Sequence, residues 1–286
     1  MTERTPVMKT VQELRKIAQE LRQMVFKSIC LAGGGHLPSC LSIAEILTVL
    51  YFRILNIDPQ DPRAKDRDRF ILSKGHAGMA LYSVLALKRF FDKELLFSSC
   101  RPGSILGGHP DMHKVPGVEA STGALGHGFP FAVGVALAGK IDQKRYKVFA
   151  LLGDGECQEG SVWEAALFAP HHKLDNLTVI IDYNKLQAMD KIDHIVRLEP
   201  FVEKWKAFGW AVAQVNGHDI QGLYKVLSKT PLKKNKPTLV IAHTTKGKGI
   251  SFMENVPIWH YRMPNPQEIQ TACQDLGLQY ENGAIK

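Results

Sequence analysis

The sequence predicts an α/β domain built on a doubly wound, mostly parallel sheet with helices on both faces. Short apolar runs of four to six residues recur along the chain, the pattern of strands buried on both faces. Helical stretches separate them, which is the connection a parallel sheet requires. At 286 residues and 45% hydrophobic, the chain is long and apolar enough to bury one large core.

The elements follow in order. Residues 10–32 place Val11, Leu14, Leu21, Val25 and Ile29 at three- and four-residue steps, an amphipathic helix that the Gly33-Gly34-Gly35 run stops. Residues 42–55 read as a second helix with Ser42 as N-cap and Glu45 at the capping-box position. RFIL (69–72) reads as a strand and 77–91 as a third helix. A glycine-rich segment over 100–128 is too long for an ordinary connection and points to function. A small-residue helix over 129–139 follows it directly. Strand 147–152, helix 160–171, strand 177–182 (LTVIID), helix 200–208, strand 210–215, helix 219–229 and strand 238–243 (TLVIAH) complete the alternation. We expect a single domain over 1–286, with a helical N-terminal region at 10–60 and a tail at 264–286 made of a helix and a loose end.

Composition narrows the function classes. The formal net charge is +8, yet the basic residues are scattered and the densest cluster is only Lys233-Lys234-Asn235-Lys236, so a nucleic-acid partner is not expected. No apolar stretch is long enough to span a bilayer, and no N-terminal signal pattern is present, so neither a membrane nor export is expected. Five dispersed cysteines without a CxxC pair suggest neither zinc nor a disulfide framework, and a reducing cytoplasm fits them.

The chemistry concentrates in GDGECQEG (153–160), which gathers Asp154, Glu156 and Glu159 among glycines at the end of an apolar strand. Ligands of open parallel sheets sit at the carboxyl ends of strands. Asp182-Tyr183-Asn184-Lys185 ends the next strand, so Asp154 and Asn184 become neighbours despite about thirty intervening residues. A carboxylate and an amide oxygen are hard donors that suit Mg²⁺ or Ca²⁺ and suit zinc poorly. Magnesium held by so few protein oxygens completes its shell with phosphate and water. Gly153 and Gly155 let the backbone approach such phosphates. The capping of a helix start is the plain alternative for Glu156 and Glu159.

GDG followed about thirty residues later by Asn is the thiamine diphosphate signature, and GDGECQEGSVWEAA resembles the form found in transketolases. Ser73-Lys74-Gly75-His76 is similar to their SxGH loop, Gly107-Gly108-His109-Pro110 to their GGHP loop, and PGVEASTGALGHG (116–128) to their PGVE segment. Gly33-Gly34-Gly35-His36 approximates their SGHPG, with Leu37-Pro38 in place of Pro-Gly. Lys246-Gly247-Lys248-Gly249 and Trp259-His260 resemble the end of the same module. The resemblance runs in order over roughly residues 10–262.

The resemblance implies thiamine diphosphate and Mg²⁺ (or Ca²⁺) as cofactors. Asp154 and Asn184 would ligate the metal by side chains and Leu186 by its carbonyl. Gly123, Leu125, Gly153, Gly155, Glu156 and Lys246 would line the cofactor. His36, His76, His109 and His260 would surround the reacting carbon and the sugar hydroxyls, work suited to imidazole. Lys74 matches a position near the cofactor less firmly, and His127 either contacts diphosphate or holds its loop. His171, His172, His194 and His218 read as surface or capping residues, and Cys157 as a space-filler.

The family's pyrimidine-binding and C-terminal domains have no counterpart in this sequence. The resemblance is therefore to the N-terminal subunit of a split transketolase. It would move a two-carbon ketol unit between sugar phosphates only with a separate C-terminal subunit, as a dimer of heterodimers with an apolar contact face. The alternatives are a noncatalytic pseudo-subunit and a subunit of another thiamine diphosphate enzyme, deoxyxylulose-phosphate synthase-like or 2-oxo acid dehydrogenase-like. A nicotinamide Rossmann enzyme is disfavoured, since no GxGxxG opens the first strand-helix unit.

Overall fold

Each strand alternates its side chains between two layers of helix, and that alternation builds the core. The computed structural model describes residues 9–286. Strands β1 (Arg69–Leu72), β2 (Val148–Gly153), β3 (Leu177–Tyr183), β4 (Ala211–Asn216) and β5 (Thr238–His243) form one sheet in the order β1-β2-β3-β5-β4. All four pairings are parallel, as the apolar runs predict. Phe70, Phe149, Leu151, Ile180 and Val240 join one core layer, while Ile71, Ala150, Leu152, Val179, Ile181 and Ile241 join the other. Both layers are closely buried, so the three inner strands read as mostly apolar runs.

The first layer is covered by α1 (Val11–Ala32), α2 (Leu37–Leu41), α3 (Ala44–Val49) and α4 (Gly78–Leu87). The second is covered by α5 (Gly128–Ile141), α6 (Gly160–His171), the single turn α7 (Ile192–Ile195) and α8 (Phe201–Ala207). The amphipathic α9 (Ile220–Leu227) returns to the first layer through Ile220, Leu223 and Leu227. Helix α1 opens on a Thr10–Glu13 capping box and closes on Gly33, whose φ of 72° is the left-handed conformation that glycine takes without strain. Among the described residues no helix is long and apolar enough to cross a membrane.

Two segments depart from expectation. The helix expected over 42–55 runs over 44–54 and starts two residues late: α2 ends at Leu41 ahead of it, and α3 from Ala44 passes without interruption into a π-helical turn (Leu50–Ile54). Ser42 does not cap a helix start: Ile43 stands at the cap position, and the Ser42 hydroxyl donates to the buried Asp182 Oδ2 at 2.8 Å. Glu45 does not close a capping box, because its carboxylate accepts from Arg22 and His218 instead. The tail is also better ordered than expected. Helix α10 (Pro266–Leu276) carries an Asn265–Glu268 capping box, and Gln19 and Gln23 of α1 both donate to Leu276 O. The end beyond it pairs as an antiparallel hairpin of β6 (Tyr280–Glu281) and β7 (Ala284–Ile285).

A nest of aromatic rings under the second layer anchors α8 to the sheet. Trp205 is fully buried and meets Trp210 at 5.0 Å, Trp163 at 5.4 Å and Phe129 at 6.2 Å between ring centroids. Trp205→Ala is expected to cost about 3–5 kcal/mol of unfolding free energy, read from the urea midpoint. Trp205→Phe should cost less, since it also removes a buried indole N–H that has no partner.

Candidate active site

Parallel pairing brings four strand ends to one level. Leu72 pairs with Leu151, Gly153 with Asp182, and Asp182 with Ala242, so the loops that follow them open on the same side. The first is Ser73–Lys74, the second Asp154–Glu156, the third Asn184–Leu186 and the fourth Thr244–Lys246. A cavity of about 310 Å³ lies at this edge. Every site residue singled out in the sequence lines it: His36, His76, His109, His260, Gly123, Leu125, Gly153, Asp154, Gly155, Glu156, Asn184, Leu186 and Lys246. Lys74 lines it too. His127 does not; it is exposed, and its Nδ1 lies 3.0 Å from Leu125 O.

Sequence reading assigns Asp182 no role, and it is the centre of the arrangement. Its carboxylate is fully buried, pairs with Lys74 Nζ at 2.6 Å, and accepts from Ser42 Oγ, Thr244 Oγ1 and Asn184 Nδ2. Burial pushes its pKa up, but the Lys74 ammonium and these donors outweigh it and hold the group below the ordinary aspartate value. The signal that could have found it is an acid closing an otherwise apolar strand, which burial without a partner would penalise. Lys74 gives its second bond to Ser39 O at 3.0 Å.

Asp154 stands beside this pair and, among the described residues, forms no ion pair of its own. Its oxygens accept from the backbone N–H groups of Gly155 and Lys185, and Lys185 takes a left-handed φ of 64° to present its own. Burial first, and the Asp182 charge second, raise the Asp154 pKa to about 7. Asn184 Nδ2 is spent on Asp182, and its Oδ1 accepts from Leu186 N at 3.1 Å. Gln187 Nε2 is buried here with no partner, and an added Cβ on Gly155 would press on Gln187 Cγ at 3.0 Å. An unsatisfied donor, an acid under pressure to find a positive charge and two neutral oxygens suit a phosphate with a hard cation. Among the described residues no group of three or more His, Cys, Asp or Glu is placed to hold a metal, so a zinc-like donor set is lacking.

Glu156 does not cap the helix that follows. It is 2% exposed and accepts from Ser73 Oγ at 2.5 Å, Gly126 N at 3.1 Å and Gly153 N at 3.2 Å, tying three loops together. The loops touch so closely that glycine is required where they meet. A Cβ on Gly75 would lie 2.5 Å from Gly123 N, and one on Gly123 would lie 2.9 Å from the His109 ring. Cys157 is fully buried behind the site.

Four imidazoles form the opposite wall. His36 lies 5.1 Å from His76, 5.2 Å from His260 and 6.5 Å from His109 between ring centroids. Burial, followed by neighbouring cationic groups, lowers the His36 pKa to about 4 and that of His260 to about 3, and it holds His76 well below the usual value. These three rings are therefore neutral near pH 7. Lys246 is the nearest of the cations to His260: its Nζ lies 2.8 Å from His260 Nδ1 and donates to Leu186 O and Gln187 O. Burial and Lys74 lower its own pKa to about 8.

This geometry can be set against known proteins. Residues 14–286 match the family model described as "Transketolase, thiamine diphosphate binding domain". The chain belongs to the transketolase family. It is 40% identical over 271 residues to an apulose-4-phosphate transketolase subunit of Phocaeicola vulgatus, covering 95% of this chain and 96% of that one. It is 43% identical to a 6-deoxy-6-sulfo-D-fructose transketolase subunit of a Clostridium species, covering 85% of this chain and 88% of that one. Human transketolase is 41% identical across 89% of this chain, which spans 40% of that protein. The crystal structure of Campylobacter jejuni transketolase superposes with a TM-score of 0.88 at 34% identity, over 94% of this chain and 43% of that one. The chain is thus a transketolase-type transferase chain whose extent matches the separate transketolase subunits.

Removing the central carboxylate tests the frame of this transketolase site. Asp182→Ala leaves the Lys74 ammonium at 1% exposure with only a carbonyl beside it. The variant is expected to lose about 3–5 kcal/mol of stability in urea unfolding.

Proposed function

We propose that the chain is the N-terminal subunit of a two-subunit transketolase, transferring a two-carbon ketol unit from a ketose phosphate to an aldose phosphate. The observation that carries this reading is the juxtaposition of a cluster of uncharged imidazoles with the Asp154–Asn184 oxygen pair in one cavity. The relatives named as transketolase subunits support it.

Asp154, Asn184 and the Leu186 carbonyl would hold Mg²⁺ or Ca²⁺, with the negative charge of Asp154 matched by the cation. The backbone at Gly123, Leu125, Gly153 and Gly155, together with Gln187 Nε2, would receive the diphosphate of thiamine diphosphate. When bound, that cofactor supplies a nucleophilic carbon and an electron sink for the two-carbon unit. Glu156 keeps the three loops at fixed spacing around it. The histidines would bind hydroxyls and relay protons, and neutrality fits His36, His76 and His260 for both, since each of these rings then has one donor and one acceptor nitrogen. The Lys246 ammonium donates to His260 Nδ1, so the proton of His260 sits on Nε2. Fixing that tautomer gives His260 a donor for a sugar oxygen.

The partner would be a separate C-terminal subunit, in a dimer of heterodimers. Helices α5 and α6 both start at cavity loops and leave Phe131, Ile141, Leu167 and Phe168 exposed, apolar surface that suits such a contact. The five cysteines of this chain are free, and the cytoplasm is the proposed compartment.

The decisive experiment mixes the chain with a candidate C-terminal subunit, thiamine diphosphate and Mg²⁺, and follows transfer from xylulose 5-phosphate to ribose 5-phosphate. Activity is expected in the mixture and in neither polypeptide by itself. Asp154→Ala and His109→Ala should each lower kcat at least about a hundredfold, and EDTA should abolish transfer until Mg²⁺ is restored. Cofactor binding by the complex without transfer would move the reading to another thiamine diphosphate reaction. In the same system Leu167→Asp with Phe168→Asp should weaken association of the two subunits in analytical ultracentrifugation.

A further inference from the structure

The sequence places His218 at the surface or as a cap, and it is neither. Its side chain is 16% exposed and lies between Glu45 of α3 and the segment after β5. Nδ1 lies 3.0 Å from Glu45 Oε2, and Nε2 lies 2.8 Å from the backbone nitrogen of Thr245. A backbone N–H only donates, so Nε2 accepts and the proton sits on Nδ1, donated to the carboxylate.

The same carboxylate accepts from Arg22 NH2 at 2.6 Å, and Arg22 Nε donates to Lys248 O at 3.1 Å. One buried glutamate therefore fastens two side chains that each grip the main chain of residues 245–248. A third grip comes from α2, where Pro38 O accepts from Gly247 N at 3.1 Å. The packing beside the ring is tight, since a Cβ on Gly217 would lie 2.4 Å from Thr244 Cγ2. Within the same stretch stand Thr244, which donates to Asp182, and Lys246, which donates to Leu186 O and lies against His260 Nδ1.

We infer that His218 is a positioning residue for the active site: with Glu45 and Arg22 it forms a strut from the N-terminal helices that fixes the 244–248 segment, and through Lys246 the orientation of His260. The inference rests on the transferase reading above for its effect on catalysis, but not for its effect on the segment. No group of the strut lines the cavity, so His218 acts only through the backbone it holds. A displacement of about 1 Å at a reacting group can cost about a hundredfold in rate, which sets the scale of the effect.

The test compares His218→Leu, which loses both bonds, with His218→Gln, whose amide retains a donor and an acceptor. Hydrogen exchange on the full chain reads the segment directly. His218→Leu is expected to raise deuterium uptake in a 244–250 peptide about tenfold and to leave strands 148–153 and 177–183 unchanged. In the reconstituted two-subunit enzyme, assayed well below the variant's melting temperature, it should lower kcat about ten- to a hundredfold. His218→Gln should stay within about threefold of the native chain in both readouts. Should His218→Leu not fold, Arg22→Lys carries the same test, since it keeps the ion pair to Glu45 and gives up the bond to Lys248 O. Unchanged uptake at 244–250, uptake rising equally across the sheet, or a glutamine variant as impaired as the leucine variant would each overturn the strut. If the native enzyme transfers no two-carbon unit, the proposed function fails, while the exchange comparison still decides the strut.

Discussion

The buried Asp182–Lys74 ion pair is the constraint around which this molecule is arranged. A carboxylate at zero exposure is tolerable only if its charge is matched and its oxygens are bonded, because the interior offers no water to do either. Lys74 comes from the end of β1, Ser42 from the turn after α2, Thr244 from the end of β5 and Asn184 from the end of β3. Satisfying one side chain therefore draws together three strand ends and the N-terminal helices. The pair is the frame of the site as well as part of the core.

That frame sets the charge of its neighbour. Asp154 lies one strand over, and the Asp182 charge adds to burial in pushing its pKa to about 7. Lys74 is committed to Asp182 and to Ser39 O, and the backbone donors on Asp154 offset only part of the cost. No ion pair among the described residues offsets this cost, which is why the proposed function assigns Asp154 to a cation brought with the ligand. On that proposal the ligands offered, the Asp154 carboxylate, Asn184 Oδ1 and the Leu186 carbonyl, are oxygens of the kind a hard ion takes.

Much of this arrangement is legible in the sequence, and the reasons differ by residue. The strands can be read because a parallel strand is apolar on both sides, a property of its own few residues. The site residues can be read because each sits in a loop whose glycines are demanded by close contact, as at Gly75 against Gly123. What escapes are residues whose local signal is overruled by distant partners. Ser42 and Glu45 form a good capping box on paper, yet their oxygens serve Asp182, Arg22 and His218, up to 173 residues away, and the helix starts at Ala44 without a side-chain cap. His218 follows a glycine in a turn and looks like a surface residue until Glu45 arrives beside it. Asp182 looks like a strand terminus because nothing in its neighbourhood of sequence reveals Lys74.

The charge pattern also separates the tasks of the cavity. Two buried ammonium groups lie beside the imidazoles and, with burial, keep His36, His76 and His260 unprotonated. A protonated cluster would attract any anion that reached it and would hold no acceptor for a hydroxyl proton. Neutral rings cannot select a phosphate by charge, so on the proposed reading this wall handles the carbonyl and hydroxyl end of the sugar. The cations are spent elsewhere, Lys74 on Asp182 and Lys246 on two carbonyls and His260. On the same reading, recognition of a terminal sugar phosphate would fall to groups outside this cavity wall, as in a site completed by a second subunit.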